Sequence, residues 1–168
     1  MSSPRSAVAD FGSDASFSVN AVGDGLLTYQ WLFNGNTIAQ ATGRSLILTN
    51  VQYTQVGVYS VGVSDAHSSD TSGQVYLAVR PHILNQPHNQ LVSSGANAVF
   101  SVTAEGIGTL NYRWRHNNLY LANQTNAMLV LPSVRVTDAG RYNVTVTHVL
   151  PWGIFGVTSS NAVLEVGP

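Results

Sequence analysis

The chain has 168 residues, enough for one large domain or two small ones, and only 9% of them are charged, far below the roughly 25% of an average soluble protein. All seven basic residues are arginine and the formal net charge is −1, so no electrostatic footprint for nucleic acid or an anionic membrane is present. Cysteine is absent, which excludes disulfides, thiolate zinc sites and a cysteine nucleophile, and no apolar run approaches the roughly 18 residues of a membrane-spanning helix.

The polar start "MSSPRSAVAD" lacks the apolar core of a signal peptide. Short alternating runs follow it: Phe17, Val19 and Ala21, then Tyr29 and Trp31, each separated by polar neighbours. A period of two predicts strands with one buried and one wet face. "NGN" at Asn34–Asn36 predicts a two-residue hairpin, because Asn and Gly accept positive φ cheaply. Further strands are expected around Leu46 and Leu48, around Tyr59, Val61 and Val63, and around Val75, Leu77 and Val79. The turn "SDAHSSD" lies between the last two. "YLAVRPHILNQP" then passes almost without a linker into a second set of strands, a junction short enough to restrict their relative orientation.

That second set repeats the first. Phe17, Gly23, Trp31, Leu48 and Tyr59 recur as Phe100, Gly106, Trp114, Leu131 and Tyr142, all 83 positions later, while Leu77 and Val79 recur as Leu164 and Val166, 87 later. The second unit has therefore gained four residues, in the turn that contains "LPWGIF". About seven strands in units of some 80 residues predict an all-β chain of two tandem sandwiches, divided as 1–80 and 81–168. Gly12 aligns with Gly95, so the segment matching "PHILNQP" is expected to precede residue 5, the first strand of unit one to be cut, and the chain to be an excerpt of a longer one.

The pattern resembles the immunoglobulin fold of the I-set type. Trp31 and Trp114 match the family's core tryptophan, and Tyr59 and Tyr142 match the tyrosine of the corner before strand F. Unit two keeps the family's Asp-x-Gly-x-Tyr at Asp138, Gly140 and Tyr142, whereas unit one has Gln55 in place of the aspartate. The cysteine positions of the family hold Val19 and Val61 in unit one, and Val102 and Val144 in unit two. A disulfide there would contribute about 2 to 4 kcal/mol, and two buried valines about 1.5 to 3 kcal/mol each without needing an oxidant. Cysteine-free units of this kind resemble the repeats of large bacterial surface and secreted proteins, which implies an extracellular or cell-surface location.

Few residues suggest chemistry. Asp65, His67 and Asp70 have metal-ligand-like spacing but sit in a turn, where Asp and Ser serve backbone hydrogen bonding, so no metal or cofactor is expected. His82 and His88 flank the junction and read as solvated; His116 and His148 stand alone. No phosphate loop or nucleophile elbow occurs, so no enzymatic activity is expected. The absence of lysine excludes an internal Lys–Asn isopeptide, and "NQT" at Asn123 and "NVT" at Asn143 match the glycosylation acceptor pattern.

The resemblance implies that the F–G turn of unit two faces the pole where the chain leaves unit one. Pro151, Trp152, Ile154 and Phe155 would then form an apolar wedge against Phe11, Tyr53 and Val56. At those last three positions unit two has the smaller or less apolar set Ser94, Val136 and Ala139. The expected function is a rigid spacer or adhesion segment of a larger extracellular protein, partnered by neighbouring domains of its own chain. Two alternatives are a protein- or glycan-binding module using the Trp152 turn, and an accessory unit of a secreted hydrolase. Nucleic acid and membrane insertion are not expected.

Overall fold

The computed structural model describes residues 2–168 and divides after Val79 into two units, each with its own core. Unit one contains β1 (Ala7–Ala9), β2 (Ala15–Ser18), β3 (Thr28–Phe33), β4 (Asn36–Thr37), β5 (Ser45–Leu48), β6 (Gly57–Ser64), β7 (Ser69–Thr71) and β8 (Val75–Val79). Its larger sheet runs β1-β8-β6-β3-β4 with β7 also on β6, and β2 pairs with β5 in the second. Strand β1 is parallel to β8, while β6 is antiparallel to both β3 and β8.

Unit two contains β9 (His82–Asn85), β10 (Gln90–Ser93), β11 (Ala98–Ser101), β12 (Thr103–Glu105), β13 (Asn111–His116), β14 (Leu119–Tyr120), β15 (Met128–Leu131), β16 (Gly140–Leu150), β17 (Gly153–Thr158) and β18 (Ala162–Gly167). The larger sheet is β10-β18-β16-β13-β14 with β17 on β16; β11 pairs with β15, and β12 with β9. These are two immunoglobulin-like sandwiches, each with more strands than the expected seven. The last strand is broken in both, β7 from β8 and β17 from β18, around a buried serine.

Those serines, Ser72 and Ser159, were not legible as special in the sequence. Each hydroxyl accepts the N–H of the central β6 or β16 valine, Val61 or Val144, at 3.0 Å and donates to the next carbonyl, Gly73 or Ser160, at 2.9 Å. A break in a ladder strands a buried donor, and the hydroxyl satisfies it.

Around this point the cores repeat. Val19, Val61, Val102 and Val144 are all buried, as are Trp31 and Trp114. Each indole N–H needs a partner once buried, and donates to Gly43 O at 2.9 Å or Asn126 O at 2.8 Å. Phe17 stacks on Tyr59 at 4.9 Å between centroids, and Phe100 on Tyr142 at 4.8 Å. The tyrosine hydroxyls donate to Gln55 O and Asp138 O, each at 2.7 Å, closing the two corners. Gln55 replaces the family's aspartate without altering the corner. Its Oε1 accepts the Gln52 N–H at 2.8 Å, as Asp138 Oδ2 accepts the Arg135 N–H at 2.8 Å.

The "NGN" hairpin forms as expected, with Asn34 at φ 48, Gly35 at φ 81 and Phe33 opposite Asn36. Asn117 and Asn118 play the same part in unit two at φ 47 and 70. The turn asparagine also fixes a glycine. Asn34 Oδ1 accepts from Val58 N and Asn117 Oδ1 from Arg141 N, both at 2.9 Å, and a Cβ on Gly57 or Gly140 would fall 2.7 or 2.6 Å from that side chain.

Residues near the start of unit one take the places of the end of the first strand segment of unit two. Ser2 bridges Asn20 where Asn85 pairs with Thr103, and Ser3 Oγ accepts the Gly73 N–H where Gln86 Oε1 accepts that of Ser160. Ser2 and Ser3 thus fill the places of Asn85 and Gln86.

Replacing Tyr59 or Tyr142 by Phe should cost about 1 kcal/mol, the net worth of one buried hydrogen bond, in urea unfolding at neutral pH. Burial pushes both phenols up to about 12, Tyr142 with a smaller contribution from the Asp138 charge. The unfolded chain ionises first, near the usual 10, so their stabilisation is complete below about pH 10 and is lost as pH rises through 12. Unfolding midpoints measured between pH 8 and 11 should fall, and a rise would contradict this linkage.

Candidate functional site

The four residues gained by unit two extend a hairpin rather than a loop. In unit one β6 and β7 pair from Gly62–Thr71 to Ser64–Ser69, and Asp65–Ser68 close the turn. In unit two β16 and β17 continue from Thr145–Thr158 out to Leu150–Gly153, leaving only Pro151 and Trp152 as the turn. Pro suits the first turn position because its φ is preset, and Gly153 follows at φ 151, a value side chains with a Cβ avoid. The expected loop is therefore mostly strand, since pairing the added residues satisfies backbone groups that a loop would leave to solvent.

This pairing separates the residues of the expected wedge. Strand alternation buries His148 and Leu150 and sends Val149 and its partner Ile154 to the other side, where they are 62% and 71% exposed. Trp152 and Phe155 are half-buried and Pro151 is exposed. In unit one Phe11 and Tyr53 form an aromatic pair with centroids 4.8 Å apart, and Val56 is half-buried just beyond the 3-10 turn Tyr53–Gln55.

Both hairpins are tied to the turn before the β3 or β13 strand by one acceptor. In unit one Asp65 Oδ2 accepts the Asp24 N–H at 3.1 Å; 83 residues on, the Ile107 N–H donates to His148 Nδ1 at 3.1 Å. A Cβ on Gly23 would lie 2.6 Å from Asp65 Oδ2, and one on Gly106 would lie 2.9 Å from His148 Nδ1, so each glycine admits its acceptor. His148 is 0% exposed and meets Phe155 edge-on at 6.5 Å. The sequence showed His148 only as an isolated residue, because its partner lies 41 positions away.

Asp65 is a turn residue. Its Oδ1 accepts from the N–H groups of His67 and Ser68, both at 2.8 Å, and these bonds hold the carboxyl below the usual carboxylate range. Asp70 Oδ1 accepts the Thr71 N–H at 2.8 Å. Among the described residues no three His, Asp or Glu side chains are grouped to hold a metal ion. His116 stacks on Tyr142 at 4.5 Å, within unit two's core wall.

The two acceptor triplets differ sharply. Asn143 is 8% exposed within β16 and its amide donates to Asn161 Oδ1 at 2.8 Å. Asn123 is exposed in a turn at φ 59.

Residues 80–148 match the immunoglobulin domain family. The chain is 35% identical over 118 residues to mouse Kin of IRRE-like protein 3, covering 68% of this chain and 15% of that protein. It is 30% identical over 128 residues to human hemicentin-1, covering 67% of this chain and 2% of that protein. With Drosophila protein sidekick it shares 24% over 164 residues, 86% of this chain and 7% of the relative. The chain thus spans 15% or less of the length of these relatives. Among solved structures, extracellular domains 3–5 of Drosophila OTK match with a TM-score of 0.63 and 22% identity, covering 99% of this chain and 60% of that one. An I-band fragment of titin matches with a TM-score of 0.53 and 15% identity over 98% of this chain and 63% of the fragment. These structural likenesses establish the tandem immunoglobulin-like fold.

When the chain is secreted from a glycosylating eukaryotic cell, the folded product should carry glycan at Asn123 and none at Asn143. Peptide mass analysis before and after glycan removal reads this directly, and Asn123→Gln should abolish the shift.

Proposed function

We propose that the chain is a non-enzymatic spacer or adhesion segment of a larger extracellular protein. The observation that carries this reading is the kinship with immunoglobulin-domain proteins of cell adhesion, over most of this chain and a small part of theirs. The cysteine-free cores support a module whose folding needs no oxidant. Within this reading the apolar tip at Pro151, Trp152 and Phe155 is a joint: it shields itself against Phe11, Tyr53 and Val56 of unit one and restrains the domain angle. Support comes from the sequence contrast with Ser94, Val136 and Ala139 and from the three rungs that carry the tip outward. Ile154 is assigned no part in the joint, because it pairs with Val149 on the opposite side.

A second reading is favoured by that exposed Val149–Ile154 pair: recognition of a protein or glycan by the hairpin. The two readings separate on Trp152. As a joint, its emission, taken as the difference between the wild type and Trp152→Phe, is that of a shielded indole. Trp152→Ala then widens the range of interdomain angles in solution scattering while both units keep their unfolding midpoints. A fully solvated indole emission, with scattering unchanged by the substitution, would contradict the joint.

A further inference from the structure

The outer face of the larger sheet in unit two has a charge that its counterpart lacks. Trp114 points into the core, so Arg113 and Arg115 point outward from β13. Tyr142, Val144 and Val146 are buried, so Arg141, Asn143, Thr145 and Thr147 share that outer face on β16. Where unit two has Arg113, Arg115 and Arg141, unit one has Gln30, Leu32 and Val58, 83 residues earlier. Unit one sets five aspartates against Arg5 and Arg44, a balance of −3; unit two sets five arginines against Glu105, Asp138 and Glu165, a balance of +2.

The two β13 arginines converge on one ring. The Arg113 and Arg115 guanidinium carbons lie 3.6 and 4.2 Å from the centroid of Tyr120 on β14, and Arg115 donates to the Tyr120 hydroxyl. Two cations on one phenol repel each other, and no carboxylate lines the hollows on either side. One is formed by Asn111, Arg113, Tyr120, Thr145 and Thr147, the other by Arg141 with Asn117, Asn118 and Asn161. Between them, opposite Arg115, Asn143 uses its amide nitrogen on Asn161, while its buried Oδ1 accepts no hydrogen bond. The carboxylate that shares this face, Glu165, lies two residues past Val163, the partner of Arg141 and near the start of β16.

We propose that this face binds an acidic carbohydrate. Arginines two residues apart on one strand, with Cα atoms about 7 Å apart, continued by Arg141 on the next, suit a polymer with carboxylate or sulfate on successive sugars. The amides, hydroxyls and unused acceptor ask for a ligand that brings hydroxyl donors as well as anions, which an acidic peptide supplies poorly. Strand β14 pairs Arg115 and His116 of β13, and β16 is flanked by β13, β17 and β18, so an extended peptide finds only the short Asn111–Arg113 edge to join here. The site goes beyond the spacer reading and is independent of the Trp152 tip.

The test titrates the ¹⁵N-labelled two-unit chain with a heparin hexasaccharide and, in parallel, with hexaglutamate. Saturable shifts are expected at Arg113, Arg115, Asn143 and Thr145 with the saccharide, weakening as salt rises. Hexaglutamate should bind about tenfold more weakly or worse. Arg113→Gln with Arg115→Leu restores residues with which unit one already folds; it should weaken saccharide binding about tenfold while the Trp114 indole signal stays in place. The proposal fails if the wild type shows no saturable shift, if the double variant binds unchanged, or if hexaglutamate binds more tightly, which would make the face a site for an acidic protein.

Discussion

Each unit depends on one buried tryptophan held by a single hydrogen bond across the sandwich. Trp31 and Trp114 bring the largest apolar surface in their cores, but an indole N–H sealed away from water is tolerated only with an acceptor, and Gly43 O and Asn126 O supply it. That bond ties the strand in the middle of the larger sheet to the segment leading into the smaller one. The stacked Phe and corner Tyr then close over the same centre, from opposite sheets. Where relatives of this fold place a disulfide, this chain relies on valine burial and on a serine hydroxyl that repairs the broken edge strand. The frame is thus held by packing and by hydrogen bonds that must all be made.

Because the frame is the same twice, what differs between the units is informative about use. Two departures stand out, and both are in unit two: the hairpin lengthened by three rungs, ending in Pro151 and Trp152, and the Arg113–Tyr120–Arg115 cluster on the outer face. Neither is needed to make a sandwich, since unit one folds with a four-residue polar turn and with Gln30, Leu32 and Thr37 at the corresponding face positions. The B–C turn shows how such a change is accommodated. His148 takes over from Asp65 as acceptor for the equivalent N–H, so a half-buried carboxylate gives way to a fully buried imidazole as the tip becomes apolar.

Much of this was legible in the residues. Alternation, the "NGN" turn and the constant offset of 83 place strands, core and units, because burial on one face of a strand has to be written with period two. The tyrosine corners and core valines followed from resemblance alone. Less was visible of the site. The difference between a loop and a longer hairpin depends on pairing across the turn, and "VTHVLPWGIFGV" alternates only loosely because both of its faces carry apolar groups. The serines and His148 escaped because each acts through a partner on another segment, Val61 for Ser72 and Ile107 for His148, and the arginines because Tyr120 reaches them only once the β13–β14 hairpin folds it back. Asp65 shares the spacing of a metal ligand but was legible as a turn acid, and it does accept the N–H groups of His67 and Ser68.

The spacer role proposed above requires the two units to keep a fixed relation to each other. Residual dipolar couplings of the two units, collected in one alignment medium, test it most directly. The account predicts that both units report a single common alignment tensor; tensors of clearly different magnitude, as independently tumbling units give, would contradict it.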